Sequence, residues 1–95
     1  MSYAKKVILH CRAGYRTELD ALIEQFIRDG VAFVGVVGPD CTRVEDIIDE
    51  ICVGDGSHPY FMVTSSHPDE TIAEVVEFAR SFGVVADGEA QLVEF

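Results

Sequence analysis

Basic residues are scarce in this sequence. Seven Lys and Arg stand against 17 Asp and Glu, which gives a formal net charge of −10 at pH 7. A surface this acidic repels phosphate backbones and anionic lipid headgroups, so neither nucleic acid nor a membrane surface is expected as a partner. Two of the basic residues, Arg12 and Arg16, lie in one short segment, where a small anion can still find a local positive charge.

Cysteines and long apolar runs are also scarce. Three cysteines in 95 residues have neither the even number nor the density of a disulfide scaffold, so we expect reduced thiols in a reducing compartment. No apolar run approaches the ~20 residues of a membrane span, and the first residues lack a signal-peptide cleavage pattern. The expected location is therefore the cytoplasm, with residues 1–95 forming one domain.

The apolar residues that are present fall into two periodic patterns. Four short runs rich in aliphatic, aromatic and β-branched residues predict strands, and three stretches with apolar residues at helical spacing predict helices. The predicted strands cover residues 7–11, 31–37, 60–64 and 90–95. The predicted helices begin at a capping box of Thr17 and Asp20, at a capping box of Thr42 and Glu45, and in a first turn at Pro68.

These elements alternate along the chain. The order β-α-β-α-β-α-β with short connections is typical of parallel strands joined by helices. The sequence thus predicts a small three-layer α/β domain with a mostly parallel four-stranded sheet. Residues 90–95 would form an edge strand, and such a strand can pair with that of a second copy, so a homodimer is one expectation.

Polar residues follow each of the first three predicted strands. Ligands bind at the carboxyl ends of strands in open parallel sheets, so segments 11–16, 38–41 and 65–70 are expected to share one ligand-binding edge. This placement predicts a binding or regulatory module whose crevice accepts a small anion or a protein partner, with no cofactor or metal. The residues expected to contact the ligand are Arg12, Gly14, Arg16, Asp40, Ser65, Ser66 and Glu70.

The segment from Cys11 to Thr17 reads Cys-Arg-Ala-Gly-Tyr-Arg-Thr. It resembles the active-site loop of single-domain rhodaneses, which typically reads Cys-Arg-x-Gly-x-Arg-Ser/Thr. The resemblance implies a persulfide on Cys11 and an anionic sulfur donor held by Arg12 and Arg16. Helix N-terminal amides and these arginines would lower the pKa of the Cys11 thiol. In the structural alternative, a half-buried cysteine ends a strand and the arginines are solvated.

A second resemblance spans most of the chain, from Phe33 to about Phe82. A Gly-x-Asp-Cys turn and a Thr-x-x-His-x-x-Glu segment together resemble a family of uncharacterised small bacterial proteins. The resemblance implies a shared fold and a shared site, and it supplies no activity. The matching residues are Gly38, Asp40, Cys41, Thr64, His67 and Glu70.

Two further alternatives use the thiol of Cys41. His67 could act on Cys41 as a general base, with Asp40 or Glu70 orienting the imidazole. Alternatively, Cys11, Cys41 and His67 could hold zinc, although neither Cys-x-x-Cys nor His-x-x-x-His spacing occurs. In a purely structural alternative, Asp40 forms a turn and Cys41 packs in the core. The sequence therefore leaves open whether the protein is an enzyme.

Overall fold

The computed structural model describes residues 2–81 and 88–95. Strands and helices alternate along these residues in the predicted order. The strands are β1 (Lys6–His10), β2 (Phe33–Val37), β3 (Val63–His67) and β4 (Gln91–Glu94). The helices are α1 (Leu19–Asp29), α2 (Cys41–Val53) and α3 (Ile72–Arg80).

The strands form one sheet in the order β3-β2-β1-β4, and all neighbouring pairs are parallel. Helices α1 and α2 pack on one face of the sheet, and α3 packs on the other face against β1 and β2. The prediction of a three-layer α/β domain with a parallel four-stranded sheet is confirmed. The chain runs from β1 to β2 and β3 on one side and returns to β4 on the other, so the topological switch point lies between β1 and β4.

The two faces of the sheet carry separate apolar clusters. On the α1 and α2 face, side chains such as Phe26, Val34 and Ile48 belong to a cluster that also contains Cys11 and Cys41. The smaller cluster on the α3 face consists of Ile8, Phe33, Val37, Val75 and Ala79. Strand alternation explains the division, since successive residues of a strand point to opposite faces.

The third strand begins later than predicted, at Val63 rather than at residue 60. Tyr60 lies in the preceding connection, where its hydroxyl donates to the carbonyl oxygen of Val31 at 2.6 Å. This bond holds Tyr60 before the strand rather than within it. The polar residues 65–67 consequently form the second half of β3, which lies at an edge of the sheet where partly exposed polar side chains are tolerated.

The first two helices do not begin at their predicted capping boxes. The Thr17 hydroxyl donates to the Glu18 carboxylate at 3.0 Å, and α1 begins at Leu19. Helix α2 begins at Cys41, so Thr42 lies inside the helix rather than at its cap. At α1 the Thr17–Glu18 contact replaces the predicted box, whereas α2 begins after Asp40 without a side-chain capping bond. A threonine with an acid three residues on is compatible with several turn conformations.

The third helix has a capping box that the sequence analysis did not identify. The Thr71 hydroxyl accepts the main-chain N–H of Glu74 at 3.2 Å, and the Glu74 carboxylate accepts the main-chain N–H of Thr71 at 2.9 Å. Helix α3 therefore begins at Ile72 and not at Pro68. Its predicted end at Phe82 lies outside the described residues.

Candidate functional site

Two loops meet at the carboxyl edge of the sheet, one after β1 and one after β2. Gly14 in the first loop has φ 77°, and a Cβ atom there would lie 3.2 Å from Asp40 Oδ2. Gly38 in the second loop has φ 110°, and a Cβ atom there would clash with the carbonyl oxygen of Cys11. Both positions therefore favour glycine, and the direct contact between the loops shapes this edge.

A cleft of about 540 Å³ opens beside these loops at the amino end of α2, and we call it the α2 cleft. It is lined by one basic side chain, Arg43, and by the carboxylates of Asp40 and Asp46. The other lining residues are Gly38, Pro39, Cys41, Thr42 and Pro68. Because Gly38 follows β2 and Pro68 follows β3, the cleft lies across the carboxyl ends of these two strands.

Arg43 is the basic residue of the α2 cleft, and the sequence analysis missed it. Its guanidinium lies 5.3 Å from the centroid of the Tyr15 ring, so the loop after β1 helps to position it. The signal that could have found it is its place in the first turn of a helix, directly after the predicted turn at residues 38–41.

The predicted anion-binding residues Arg12 and Arg16 lie on the β4 side of the first loop. The Arg16 guanidinium lies 4.2 Å from the centroid of the Phe95 ring and 3.6 Å from the Glu18 carboxylate. The main-chain N–H of Arg12 donates to the carbonyl oxygen of Phe95 at 3.0 Å. Both arginines are exposed at the topological switch point, and they are not among the residues that line the α2 cleft.

Cys11 and Cys41 lie in the core rather than on the surface of the edge. Their exposed fractions are 0% and 2%, and both belong to the cluster beneath α1 and α2. Burial and the nearby Cys41 thiol raise the pKa of Cys11 from 9.0 to about 11, and Arg16 offsets only part of this rise. The expected lowering of this pKa is therefore wrong. Helix α1 begins only at Leu19, so Cys11 does not lie at a helix N-terminus.

On the α3 face, His67 at the end of β3 contacts two polar side chains. Its Nε2 lies 2.7 Å from Ser65 Oγ, and its Nδ1 lies 2.8 Å from Glu70 Oε1. The ring is 4% exposed and meets the Phe78 ring edge-on, with the centroids 4.8 Å apart. Three residues predicted for the site thus come together, and we call Ser65, His67 and Glu70 the His67 cluster.

All three residues of the His67 cluster are among the predicted site residues, but the pairing of Ser65 with His67 is not predicted. Residues two apart in a strand share a face, which is the signal that could have paired them. It was missed because the predicted strand ended at residue 64, whereas β3 continues to His67.

Ser66 points to the opposite face of β3. Its hydroxyl lies 3.5 Å from the Thr42 hydroxyl of α2. The neighbouring Thr64 hydroxyl lies 2.7 Å from Asp49 Oδ1 and 3.1 Å from Glu45 Oε2, both also on α2. The two serines predicted as ligand-binding residues therefore point to opposite faces of β3 and do not share a site.

Cys41 and His67 also lie on opposite sides of the sheet. Cys41 belongs to the cluster beneath α1 and α2, whereas His67 is paired in register with Val37, a residue of the α3-face cluster. The structure does not bring the Cys-His-acid constellation together. Among residues 2–81 and 88–95, no three His, Cys, Asp or Glu side chains come together as metal ligands, so the zinc alternative has no site in that part of the chain.

Strand β4 forms the edge of the sheet opposite β3. Leu92 is 44% exposed, and Glu94 Oε2 lies 2.8 Å from His10 Nδ1 of the neighbouring strand β1. The homodimer expected through this strand stays a prediction.

Fold and site together define the class of protein, a small α/β protein with an all-parallel sheet and a polar carboxyl edge. None of the helices in the described part of the chain has the length and apolar character needed to cross a membrane. The family described as Domain of unknown function (DUF7684) matches residues 3–92, and the chain belongs to this family. No curated protein and no solved structure matches the chain. The family match names no activity, and it does not confirm the rhodanese-like loop.

Proposed function

We propose that this chain is a binding module whose small ligand carries an anionic group and occupies the α2 cleft. The observation that carries the proposal is the position of Arg43 in the first turn of a 13-residue helix, on the wall of a cleft of about 540 Å³. Helix geometry directs the first-turn amides of Thr42 and Arg43 out of the helix end, where they can donate to an anion. A guanidinium beside these amides adds charge-assisted hydrogen bonds.

The other charges of the α2 cleft restrict the ligand. Asp40 and Asp46 line the same cleft as Arg43, so the side chains contribute two negative charges against one positive charge. A doubly charged anion would be repelled by these carboxylates. A singly charged anion that also carries an amino or other donor group suits the cleft better, because the carboxylates can accept hydrogen bonds from it.

Sulfur transfer is not part of this proposal. Cys11 is 0% exposed, and burial raises the pKa of its thiol to about 11, so little thiolate exists at neutral pH. Cys41 lines the α2 cleft, but it is 2% exposed and packs with the core beneath α1 and α2.

Titration of the labelled protein with acetate, glycine and inorganic phosphate, followed by amide chemical shifts, tests the proposal. We expect glycine and acetate to shift the Thr42 and Arg43 amides, and phosphate dianion to bind more weakly. Replacing Arg43→Gln should weaken binding about tenfold, as expected for loss of one charge-assisted hydrogen bond. Asp46→Asn should strengthen the binding of acetate, which has no donor group, because it removes a repelling carboxylate.

Arg28→Gln is the matched control. Arg28 lies in the last turn of α1, near the amino ends of the strands and therefore away from the α2 cleft. Equal affinities of the Arg43→Gln and Arg28→Gln variants would contradict the proposal. Chemical shift changes confined to residues outside the α2 cleft would contradict it as well.

A further inference from the structure

We propose that Ser65, His67 and Glu70 form a nucleophile, a general base and an orienting carboxylate that act on a small activated ester. The Ser65 Oγ lies 2.7 Å from His67 Nε2, and the opposite ring nitrogen lies 2.8 Å from Glu70 Oε1. This is the connectivity of a serine, histidine and acid triad, which is recognised by geometry and not by order along the chain. The site is separate from the α2 cleft and does not depend on ligand binding there.

The protonation of His67 follows from its partners. An ionised carboxylate only accepts hydrogen bonds, so the ring nitrogen facing Glu70 carries the proton. In a neutral imidazole the other nitrogen, Nε2, then has a free lone pair, and it faces the Ser65 hydroxyl at 2.7 Å. Ser65 is therefore the donor, and Nε2 is placed to accept its proton.

The surroundings of the His67 cluster fix this arrangement. His67 is 4% exposed and its ring packs against Phe78, so the imidazole has little freedom to turn. Ser65 is paired in register with Gly35, where the side chains of Val75 and Phe33 lie within 3.4 Å of the position that a Cβ atom would take. Ser65 itself is partly exposed, and Glu70 is 42% exposed. A buried base beside a partly exposed hydroxyl is the distribution that a nucleophilic serine needs.

The reaction forms and breaks bonds in two balanced steps. In the first, Ser65 Oγ attacks the ester carbonyl carbon, its proton passes to His67 Nε2, and the leaving alcohol takes that proton as the carbon–oxygen bond breaks. In the second, water attacks the acyl-serine, gives its proton to Nε2, and releases the acid as Ser65 regains a proton. Glu70 stabilises the imidazolium that forms in each step and is a positioning residue.

The edge position of β3 supplies hydrogen-bond donors for the oxyanion. The main-chain N–H of Val63 donates to the carbonyl oxygen of Ala32, the residue directly before β2, at 2.9 Å. Because backbone groups alternate along a strand, the N–H groups of Thr64 and Ser66 point the other way, toward the outer edge. The Ser66 N–H directly follows the nucleophile in the chain, and donors of this kind stabilise the tetrahedral intermediate.

The experiment incubates the reduced, full-length protein with p-nitrophenyl acetate and locates the acetyl group by peptide mass spectrometry while nitrophenolate release is followed. We expect acetyl on Ser65 of the wild-type protein. Both Ser65→Ala and His67→Ala should slow the release by about 100-fold or more, the usual contribution of a general base and its nucleophile. Ser57→Ala is the matched control, because Ser57 is an exposed serine in the connection between α2 and β3, outside the His67 cluster, and the rate of this variant should equal that of the wild type.

Glu70 is tested by two substitutions of different kind. Glu70→Gln keeps the size of the side chain and removes its charge, whereas Glu70→Asp keeps the charge and shortens the side chain. The proposal expects the Asp variant to retain more activity than the Gln variant, a result that a merely structural role of Glu70 would reverse.

The mapping of the acetyl group needs no variant, so a failure of Ser65→Ala to fold cannot obscure the result. Acetyl found on lysine or cysteine but not on Ser65 would overturn the proposal. So would nitrophenolate release by wild type at the same rate as by a folded Ser65→Ala variant. Loss of anion binding in the α2 cleft leaves these outcomes unchanged, because that cleft lies elsewhere on the edge.

Discussion

The reactive side chains at the carboxyl edge have different surroundings on the two faces of the sheet. On the α1 and α2 face, Cys11 and Cys41 are packed among apolar side chains, and burial raises the pKa of Cys11 to about 11. On the α3 face, His67 is also buried, but both of its ring nitrogens have polar partners within 2.8 Å. Burial among apolar side chains therefore makes the Cys11 thiol less reactive, whereas burial beside polar partners holds the His67 ring in one orientation.

The distribution of helices explains the difference. Two helices cover the face that holds the cysteines, whereas on the other face α3 packs against β1 and β2. Strand β3 lies at the edge of the sheet, and its α3-facing residues Val63 and Ser65 are only partly buried. Polar side chains are therefore present at the edge of the α3 face. On the α1 and α2 face, by contrast, the larger apolar cluster covers the sheet.

The largest expected effect is a loss of unfolding free energy, and it is predicted from a comparison of one phenylalanine on each face. Phe26 is 0% exposed between α1 and the sheet, whereas Phe78 on α3 is 38% exposed. We expect Phe26→Ala to lower the free energy of unfolding by about 4 kcal/mol and Phe78→Ala by roughly half as much, because less of its ring leaves water on folding. Urea denaturation followed by circular dichroism measures both. Equal losses would contradict the account of a larger and a smaller core.

The second prediction concerns the reactivity of Cys11. With a pKa raised from 9.0 to about 11, its thiolate fraction at about pH 8 is roughly 100-fold lower than in an unfolded chain. Iodoacetamide should therefore alkylate Cys11 at least that much more slowly in the folded protein than in urea, as measured by mass spectrometry. A folded-state rate equal to the unfolded rate would restore the thiol as a candidate nucleophile.

The same shift predicts how stability depends on pH. The folded-state pKa of Cys11 lies above its ordinary value, so its stabilising contribution is complete below pH 9.0 and is lost as the pH rises through about 11. Burial also raises the pKa of Cys52, which acts in the same direction. Thermal unfolding across this range should show a decline that is smaller in Cys11→Ala. An identical decline in that variant would contradict the assignment.

The smallest expected effect compares two threonines that the same sequence pattern marks as caps. Thr71 forms a capping box with Glu74, whereas the Thr17 hydroxyl donates to the Glu18 side chain. We expect Thr71→Ala to cost about 1 kcal/mol of unfolding free energy and Thr17→Ala less than about 0.5 kcal/mol. Urea denaturation measures the unfolding free energies of the two variants. A larger loss in Thr17→Ala than in Thr71→Ala would contradict the assignment of Thr71, and not Thr17, as a helix cap.

Much of the fold could be predicted because its strands carry a clear signal. The nearly continuous apolar run at residues 31–37 indicates a strand buried on both faces, and it contains the central strand β2. The second half of β3 carries no such signal, since Ser65, Ser66 and His67 are polar and their place in the strand depends on pairing with β2. Propensity cannot show this pairing, because it is a tertiary contact.

The candidate site could be predicted only in part for the same reason. The predicted parallel order of the strands places the loops after β1, β2 and β3 at one edge of the sheet. The structure confirms that the strands are parallel and that these loops lie at the same edge. Which residues share a face depends on the exact register of each strand, so Cys41 was paired with His67 although the sheet separates them. Arg43 was not predicted because a single basic residue in an acidic helix forms no pattern, and its place in the first turn of α2 is the one signal it carries.

The protonation of His67 tests the central claim most directly, namely that the reactive side chains of this edge lie on the α3 face, separate from the anion-binding α2 cleft. Long-range proton–nitrogen NMR spectra of the folded wild-type protein at about pH 8 report which ring nitrogen carries the proton of a neutral imidazole. The account predicts protonated Nδ1 facing Glu70 and unprotonated Nε2 facing Ser65. An imidazole protonated on Nε2 would contradict it, because Ser65 would then have no base.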